Sequence, residues 1–290
     1  MKVAITGASG QLGKELQRTL SQVNVKFDAR SRNEVDISNS EQVSLFLDQI
    51  QPNWLVNCAA YTNVDLAEDE IRQSLDANAI GPQTLARNCR ERNIRLIHIS
   101  TDSVFSADEP KYFGAHEKPN PINQYGKSKM LGEKIVLLDN ADKTWIVRTS
   151  WLYGDFGGQF VHNILRRFND SDPISVVNDQ FGQPTYTKNV SNYIYGIILD
   201  APTPGIYHFA DSGYTSRFGL AKQIISNLGG DDSRVIGVET HFQDSLAPRP
   251  IFSLLDLEGF DYPPRAFNLP WTESLAIFTD HWKEANSFDK

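Results

Sequence analysis

Cysteine is nearly missing from this chain: 290 residues contain only Cys58 and Cys89. That excludes a disulfide-stapled scaffold and any CxxC metal site. Cys58, inside the apolar run NCAA, is expected to be a small buried residue. Positive charge is also short. Lys and Arg number 28 against 36 Asp and Glu, a net charge of −8. A nucleic-acid partner requires a basic surface and is disfavoured, whereas an anionic small ligand can still be held by backbone N–H groups. Long apolar stretches are missing too. The N-terminal MKVAITGASG reaches its glycines after one short apolar run, so neither a signal peptide nor a membrane span is expected there. These shortages point to a soluble protein of the reducing cytoplasm, with no membrane partner. No internal repeat or low-complexity tract is visible.

What is present is an ordinary globular balance, 40% hydrophobic and 22% charged, in a chain long enough for one large or two unequal domains. Short, nearly continuous apolar runs occur at 2–6, 24–28, 54–59, 95–100 and 145–150. Runs of that kind suit parallel strands covered on both faces. Amphipathic segments at 11–22, 40–50, 67–92 and 124–138 lie between them. Ser38 or Ser40 is the candidate cap of the second, and Pro82 should kink or split the third. The alternation predicts an α/β, doubly wound parallel Rossmann sheet over 1–150. The rhythm then loosens. Strands are expected at 174–177 and 205–210 and helices at 187–199 and 216–228, with the proline-bearing stretch 230–271 as loops and a small cap. The chain is expected to return to the sheet within 175–200, and 151–290 to form mainly a smaller substrate-binding domain.

The first strand runs directly into Gly7-Ala8-Ser9-Gly10-Gln11-Leu12-Gly13. Glycines at this spacing allow a tight turn, a close backbone approach to a pyrophosphate and close helix–strand packing, with the next helix N-terminus aimed at the anion. At the first strand–helix junction, that pattern predicts a dinucleotide site. Cofactor choice falls to the end of the second strand, FDARSR. Asp28 favours a free ribose 2′-OH, whereas Arg30 and Arg32 favour a 2′-phosphate. The reading leans to NADPH, with NADH possible.

Tyr125 and Lys129 form YxxxK and share a face of the segment between the fourth and fifth strands. An ammonium beside a phenol favours the phenolate, which would let Tyr125 exchange a proton near neutral pH, and Lys129 could also hold the nicotinamide ribose. An exposed helix pair would carry the same spacing. Position argues otherwise, because STD at 100–102 ends the fourth strand beside the crevice where such sheets bind ligands. Thr101 could hydrogen-bond a reacting carbonyl. Thr101, Tyr125 and Lys129 together fit carbonyl reduction or alcohol oxidation, with the cofactor supplying the hydride chemistry.

The phosphate loop, the strand-end Thr and YxxxK together resemble an extended short-chain dehydrogenase/reductase. NCAAYTNVDLAE (57–68), PINQYGKSK (121–129), VRTSWLYG (147–154), VVNDQFGQPT (176–185) and RPIFSLLD (249–256) resemble the dTDP-4-dehydrorhamnose reductase family, and the resemblance runs from about residue 2 to 282. It implies reduction of the C4 ketone of dTDP-4-dehydro-6-deoxy-L-mannose to dTDP-L-rhamnose, in deoxysugar and cell-surface polysaccharide biosynthesis. By that resemblance Tyr125 donates the proton, Lys129 supports it and Thr101 steadies the oxygen. Gly7, Gly10, Gln11, Leu12, Gly13, Arg30, Asp36, Ile37, Ala59, Ala60, Tyr61 and Asn78 would hold the cofactor, together with Tyr125 and Lys129. Asp102, Ser103, Trp151 and Arg249 would join Thr101 on the sugar-nucleotide side, Arg249 toward the diphosphate.

The sequence departs from that family on the sugar side. STDYVF reads STDSVF here, so Ser103 stands where an aromatic wall is expected. RPxNSxL reads RPIFSLL, with Phe252 and Leu254 at the altered positions, and NNF reads GQF at 158–160. Glu15 matches a metal ligand that bridges some family dimers, but its partner position is Lys188. No metal is therefore expected, and the chain would be a monomer or homodimer. A related 4-keto-6-deoxysugar or the opposite C4 product is an alternative. So are an epimerase or dehydratase and a non-catalytic subunit like the β subunit of methionine adenosyltransferase.

Overall fold

The computed structural model describes residues 1–157, 159–170, 172–240, 247–258 and 268–286. Prolines 263 and 264, and Gly158 of the GQF stretch, lie outside the described residues. Six strands form one parallel sheet: β1 (Lys2–Thr6), β2 (Lys26–Arg30), β3 (Trp54–Asn57), β4 (Arg95–Thr101), β5 (Thr144–Thr149) and β6 (Gly205–His208). Their order is β2-β1-β3-β4-β5-β6. The chain leaves β1 first to one side and then to the other. This opens a crevice at the C-terminal ends of β1 and β3, the place where doubly wound sheets take ligands.

Strand alternation explains why the apolar runs are continuous. Val3, Ile5, Trp54, Val56, Ile97 and Val147 face α1 (Gln11–Gln22) and a later helix, Thr187–Asp200. Ala4, Leu55, Leu96 and Ile146 face the opposite way, onto α2 (Ser40–Ile50), α3 (Gly81–Glu91) and α4 (Gln124–Asn140). Both faces are covered, so apolar residues run continuously through the strand centres, with polar side chains mostly toward the ends.

Several boundaries differ from the expectation. β2 begins at Lys26 rather than 24, because Asn24 takes φ +56 in the turn that ends α1. α2 is capped by Asn39, whose side chain accepts from Glu41 N and Gln42 N, and not by Ser38 or Ser40. The segment at 67–92 is split as Pro82 requires. A π-helical turn at Asp76–Ile80 precedes α3, where Pro82 sits in the first turn and needs no N–H partner.

Helix Thr187–Asp200 packs on α1, and β6 then adds to the edge of the sheet beside β5. The strand Ile174–Val177 instead pairs with Val235–Val238, inside the stretch expected to be loop. The helix Thr187–Asp200, α6, belongs to the main sheet; with α5 (Gln159–Arg166), α7 (Arg217–Asn227) and α8 (Trp271–Asn286), the smaller layer closes over its own core of Tyr153, Ile164, Ile224 and Phe278. Leu254–Leu255 pairs with Tyr112–Phe113, which threads the C-terminal segment past the end of β4. Among the described residues no helix is long and apolar enough to cross a membrane.

Candidate active site

Gly7 follows β1 with φ +74, and a Cβ there would lie 2.5 Å from Ala59 N. No other residue tolerates both the left-handed backbone and that approach. The turn is closed by Gly10 N donating to Gly7 O at 3.0 Å, and α1 begins at Gln11. Its unpaired first-turn N–H groups therefore face the crevice, as an anion site requires.

A groove runs from this loop across the sheet. Its first compartment, about 510 Å³, is lined by Gly7, Gly10, Asp36, Ile37, Ala59, Ala60 and Tyr61. A second, about 320 Å³, shares Gly10, Cys58, Ala60 and Thr62 with the first and adds Gln11, Leu12, Thr101, Tyr125, Lys129 and Trp151. A third, about 190 Å³, shares Thr101, Asp102, Tyr125 and Trp151 with the second and adds Ser103, Phe181, Arg217, Arg249 and Ser253. The Thr101–Tyr125–Lys129 trio thus stands where the compartment beside the glycine loop meets the one bearing two guanidinium groups. Gln11 Oε1 is buried in the second compartment without a partner among the described residues. A buried orphan acceptor beside a helix N-terminus fits a site built for a polar ligand.

α4 is held against this floor from both ends of its first turn. The Asn123 side chain caps it, accepting from Gly126 N at 2.8 Å and donating to Pro248 O at 2.9 Å. A Cβ at Gly126 would lie 2.2 Å from Ser103 O, so only glycine lets the helix approach the strand-end turn. Tyr125 and Lys129 then share the inward face. Lys129 is buried, and its Nζ donates to Ile99 O at 2.7 Å. Burial pulls its ammonium down to about 8, with Glu133 opposing. Burial pushes Tyr125 up to about 12; contact with the Thr101 hydroxyl lowers it and the Asp102 charge raises it further. The expectation that Lys129 makes Tyr125 a ready phenolate is not met in this structure. Desolvation pushes the phenol up and the Asp102 charge adds to it, so the residue is held as a phenol, a proton donor.

Other expectations are also revised. Arg30 does not line the groove: its Nε is 2.8 Å from Asp28 Oδ1, its Nη1 reaches Glu34, and the group lies over the Phe46 ring. Arg32 lines the first compartment instead. Asn78 is fully buried and braces the backbone of Tyr61 through both amide atoms while donating to Ser128 Oγ at 2.9 Å. It shapes the groove from behind. Gly13 likewise packs against the Gly7 backbone and lines none of the compartments. Cys58 is half-buried and faces the groove at the end of β3, and burial lifts its thiol to about 12, so it stays protonated. Thr101 donates to Asp102 Oδ1 at 3.0 Å rather than pointing a free hydroxyl at the groove.

Asp102, expected on the sugar-nucleotide side, is a buried carboxylate gathering hydroxyl donors. Ser103 lines the third compartment, and Trp151, at φ +41, forms its wall with the Arg217 guanidinium 3.5 Å over its ring. Arg249 lines the same compartment and pairs with Asp65 at 2.8 Å. Phe252 stacks on Phe181 at 4.7 Å, backing the compartment with an aromatic pair. Thr62, Gln180, Phe181, Arg217 and Ser253 also line the groove and were not singled out in the sequence, because they are brought together from segments far apart in the chain. Glu15 is buried and closed by Arg18 at 2.7 Å, which also reaches Asp155. Among the described residues no group of three potential metal ligands occurs.

A model of the RmlD substrate binding domain family matches residues 1–283. The chain is 36% identical to a dTDP-4-dehydrorhamnose reductase of Mycolicibacterium smegmatis, over 88% of this chain and 77% of that one. It is 34% identical to a dTDP-4-keto-6-deoxy-D-glucose reductase of Streptomyces niveus, over 97% and 93%. Its fold superposes, with a TM-score of 0.88 and 37% identity, on a dTDP-4-dehydrorhamnose reductase of Bacillus anthracis solved in complex with NADP, covering 97% of this chain and 99% of that one. With the family model spanning nearly its whole length, the chain belongs to the RmlD substrate binding domain family.

Proposed function

We propose that this chain reduces the C4 ketone of dTDP-4-dehydro-6-deoxy-L-mannose to dTDP-L-rhamnose, with NADPH as reductant. The observation that carries the reading is the position of Tyr125: a half-buried phenol beside Thr101, at the joint between the compartment facing the glycine loop and the compartment bearing Arg217 and Arg249. A dinucleotide fits the first two compartments, since the Gly7 turn, the α1 N-terminus and the orphan Gln11 Oε1 supply what its phosphates and amide require. When bound, it supplies a hydride. The chain does the rest. Tyr125 gives its proton to the developing C4 alkoxide, and Lys129 places positive charge near the phenolate left behind. Arg217 and Arg249 face the site as diphosphate partners, and Trp151 packs against the sugar.

In this reading the cofactor lies on 1–150, with 187–208 completing the same layers, and the sugar nucleotide mainly on 151–290. The chain works in the cytoplasm as a monomer or homodimer without a bridging metal, because Arg18 already satisfies Glu15. The test is NADPH oxidation with enzymatically prepared dTDP-4-keto-L-rhamnose. One NADPH consumed per ketone, with NMR showing the rhamnose configuration at C4, is the expected result. Turnover without net NADPH loss would indicate an epimerase instead. The opposite C4 configuration, or turnover of a related 4-keto-6-deoxysugar such as the one in the Streptomyces relative's name, is a second reading that Ser103 keeps in view, since it lines the third compartment.

The groove also revises which arginine selects the cofactor. Arg32→Ala is expected to lower the ratio of kcat/KM for NADPH over NADH by about tenfold or more, the scale of one charged hydrogen bond. Arg30→Ala should leave that ratio within about twofold, since Arg30 is committed to Asp28 and Glu34. Equal effects of the two substitutions would overturn the assignment.

A further inference from the structure

The Asp102 carboxylate is 4% exposed. Its Oδ1 accepts from Thr101 Oγ1 at 3.0 Å, and its Oδ2 accepts from Ser150 Oγ at 2.9 Å and Ser253 Oγ at 2.7 Å. The three hydroxyls come from three places: the end of β4, the end of β5 next to Trp151, and the C-terminal segment that carries Arg249. A buried carboxylate is costly unless its lone pairs are satisfied, so this convergence fixes all three segments relative to one another.

Its effect on Thr101 is specific. The Thr101 proton is committed to Asp102, and its oxygen accepts from Ser103 N at 3.1 Å. Toward Tyr125 that oxygen can act only as an acceptor. The Tyr125 O–H is thereby given a fixed lone pair as its neighbour until the substrate oxygen arrives. Ser253 is itself held in register by its neighbours: Phe252 and Ala107 exchange backbone hydrogen bonds at 2.9 and 3.1 Å, and Leu254–Leu255 pairs with Tyr112–Phe113.

We propose that Ser253 is a positioning residue for proton transfer: seated with the C-terminal segment, it holds Asp102, and Asp102 fixes the Thr101 hydroxyl against Tyr125. This rests on the reductase reading above. It makes the segment that brings Arg249 to the substrate also the segment that sets the acid, although Ser253 never touches the reacting atoms.

The test uses Ser253→Ala, Asp102→Asn and the double variant. Removing a donor from a carboxylate disfavours its charged form, so Asp102 should titrate at higher pH in Ser253→Ala. Carbon NMR of aspartate-labelled protein reads this directly, with the Asp102 signal identified by its loss in Asp102→Asn. The active form is the carboxylate, so the acidic limb of kcat should move upward by the same amount. At neutral pH kcat should fall about tenfold, with KM for NADPH unchanged. The double variant should lose no more than Asp102→Asn alone. An unmoved Asp102 titration, an unmoved acidic limb or fully additive losses would each overturn the proposal. If the wild type fails to reduce the ketone, the reductase reading falls by itself, and the NMR arm still decides whether Ser253 holds Asp102.

Discussion

Tyr125→Phe is expected to lower kcat by about 10²- to 10⁴-fold, the contribution of a positioned proton donor. NADPH affinity should change little, since the substitution removes one oxygen and keeps the ring that packs on the groove. The structure makes this sharper than the YxxxK spacing alone. Tyr125 is kept as a phenol by burial and by the Asp102 charge, so it is in the donating form throughout the neutral range. The neighbouring groups cannot take over. Thr101 has a single proton and donates it to Asp102, and Lys129 is anchored to Ile99 O at the floor of the groove, so Tyr125 is the group placed to donate. The measurement is single-turnover NADPH oxidation with saturating ketone, which separates chemistry from product release. A loss of less than about fivefold would mean that the proton comes from elsewhere, and would remove Tyr125 from its catalytic role.

The parts of this site that were legible in the sequence are those built from local patterns. The Gly7 turn, the strand end at Thr101 and the i, i+4 pair at Tyr125 and Lys129 each lie within a few residues of a strand–helix junction, where position in the sheet follows from order along the chain. The continuous apolar runs announced strands covered on both faces, and five of the six strands of the sheet come from the first half of the chain, with the sixth at 205–208. What the sequence left open depends on side-chain direction or on distant segments. Arg30 and Arg32 are two residues apart and look equivalent in FDARSR, but only the structure separates the one tied to Asp28 from the one facing the groove. Asp102 ends a strand in the sequence, but its buried hydroxyl partners Ser150 and Ser253 come from 48 and 151 residues away. The stretch 230–271 looked like loop because its strand Val235–Val238 pairs with 174–177 rather than with any neighbour in sequence. Lys129 was expected to act on Tyr125 through charge. The competing effect, desolvation, could be weighed only once burial was known.

The largest effect on stability is expected beneath the site rather than in it. Glu133 lies one helical turn beyond Lys129 on α4 and is 3% exposed. It accepts from Arg148 Nε at 2.9 Å, Arg148 Nη2 at 2.7 Å and Ser100 Oγ at 2.5 Å, joining α4 to β5 and β4. Arg148 also donates to Ala115 O at 3.1 Å and lies 4.9 Å over the Phe105 ring. Glu133→Ala leaves a buried guanidinium without its carboxylate, which costs about 3–5 kcal/mol. The surface pair Arg87–Asp139 makes a contact of similar length, 3.1 Å, with its arginine half exposed, and Asp139→Ala should cost under about 1 kcal/mol. The difference is one of desolvation rather than of distance. Replacing both buried partners, Glu133→Leu with Arg148→Met, should cost less than Glu133→Ala alone, because no charge is then stranded. Urea unfolding with unchanged m-values checks all three. If the double replacement proved the worse, the pair would be contributing net attraction. The anchoring of α4, and with it the placement of Tyr125 and Lys129, would then rest on that charge pair rather than on the packing around it.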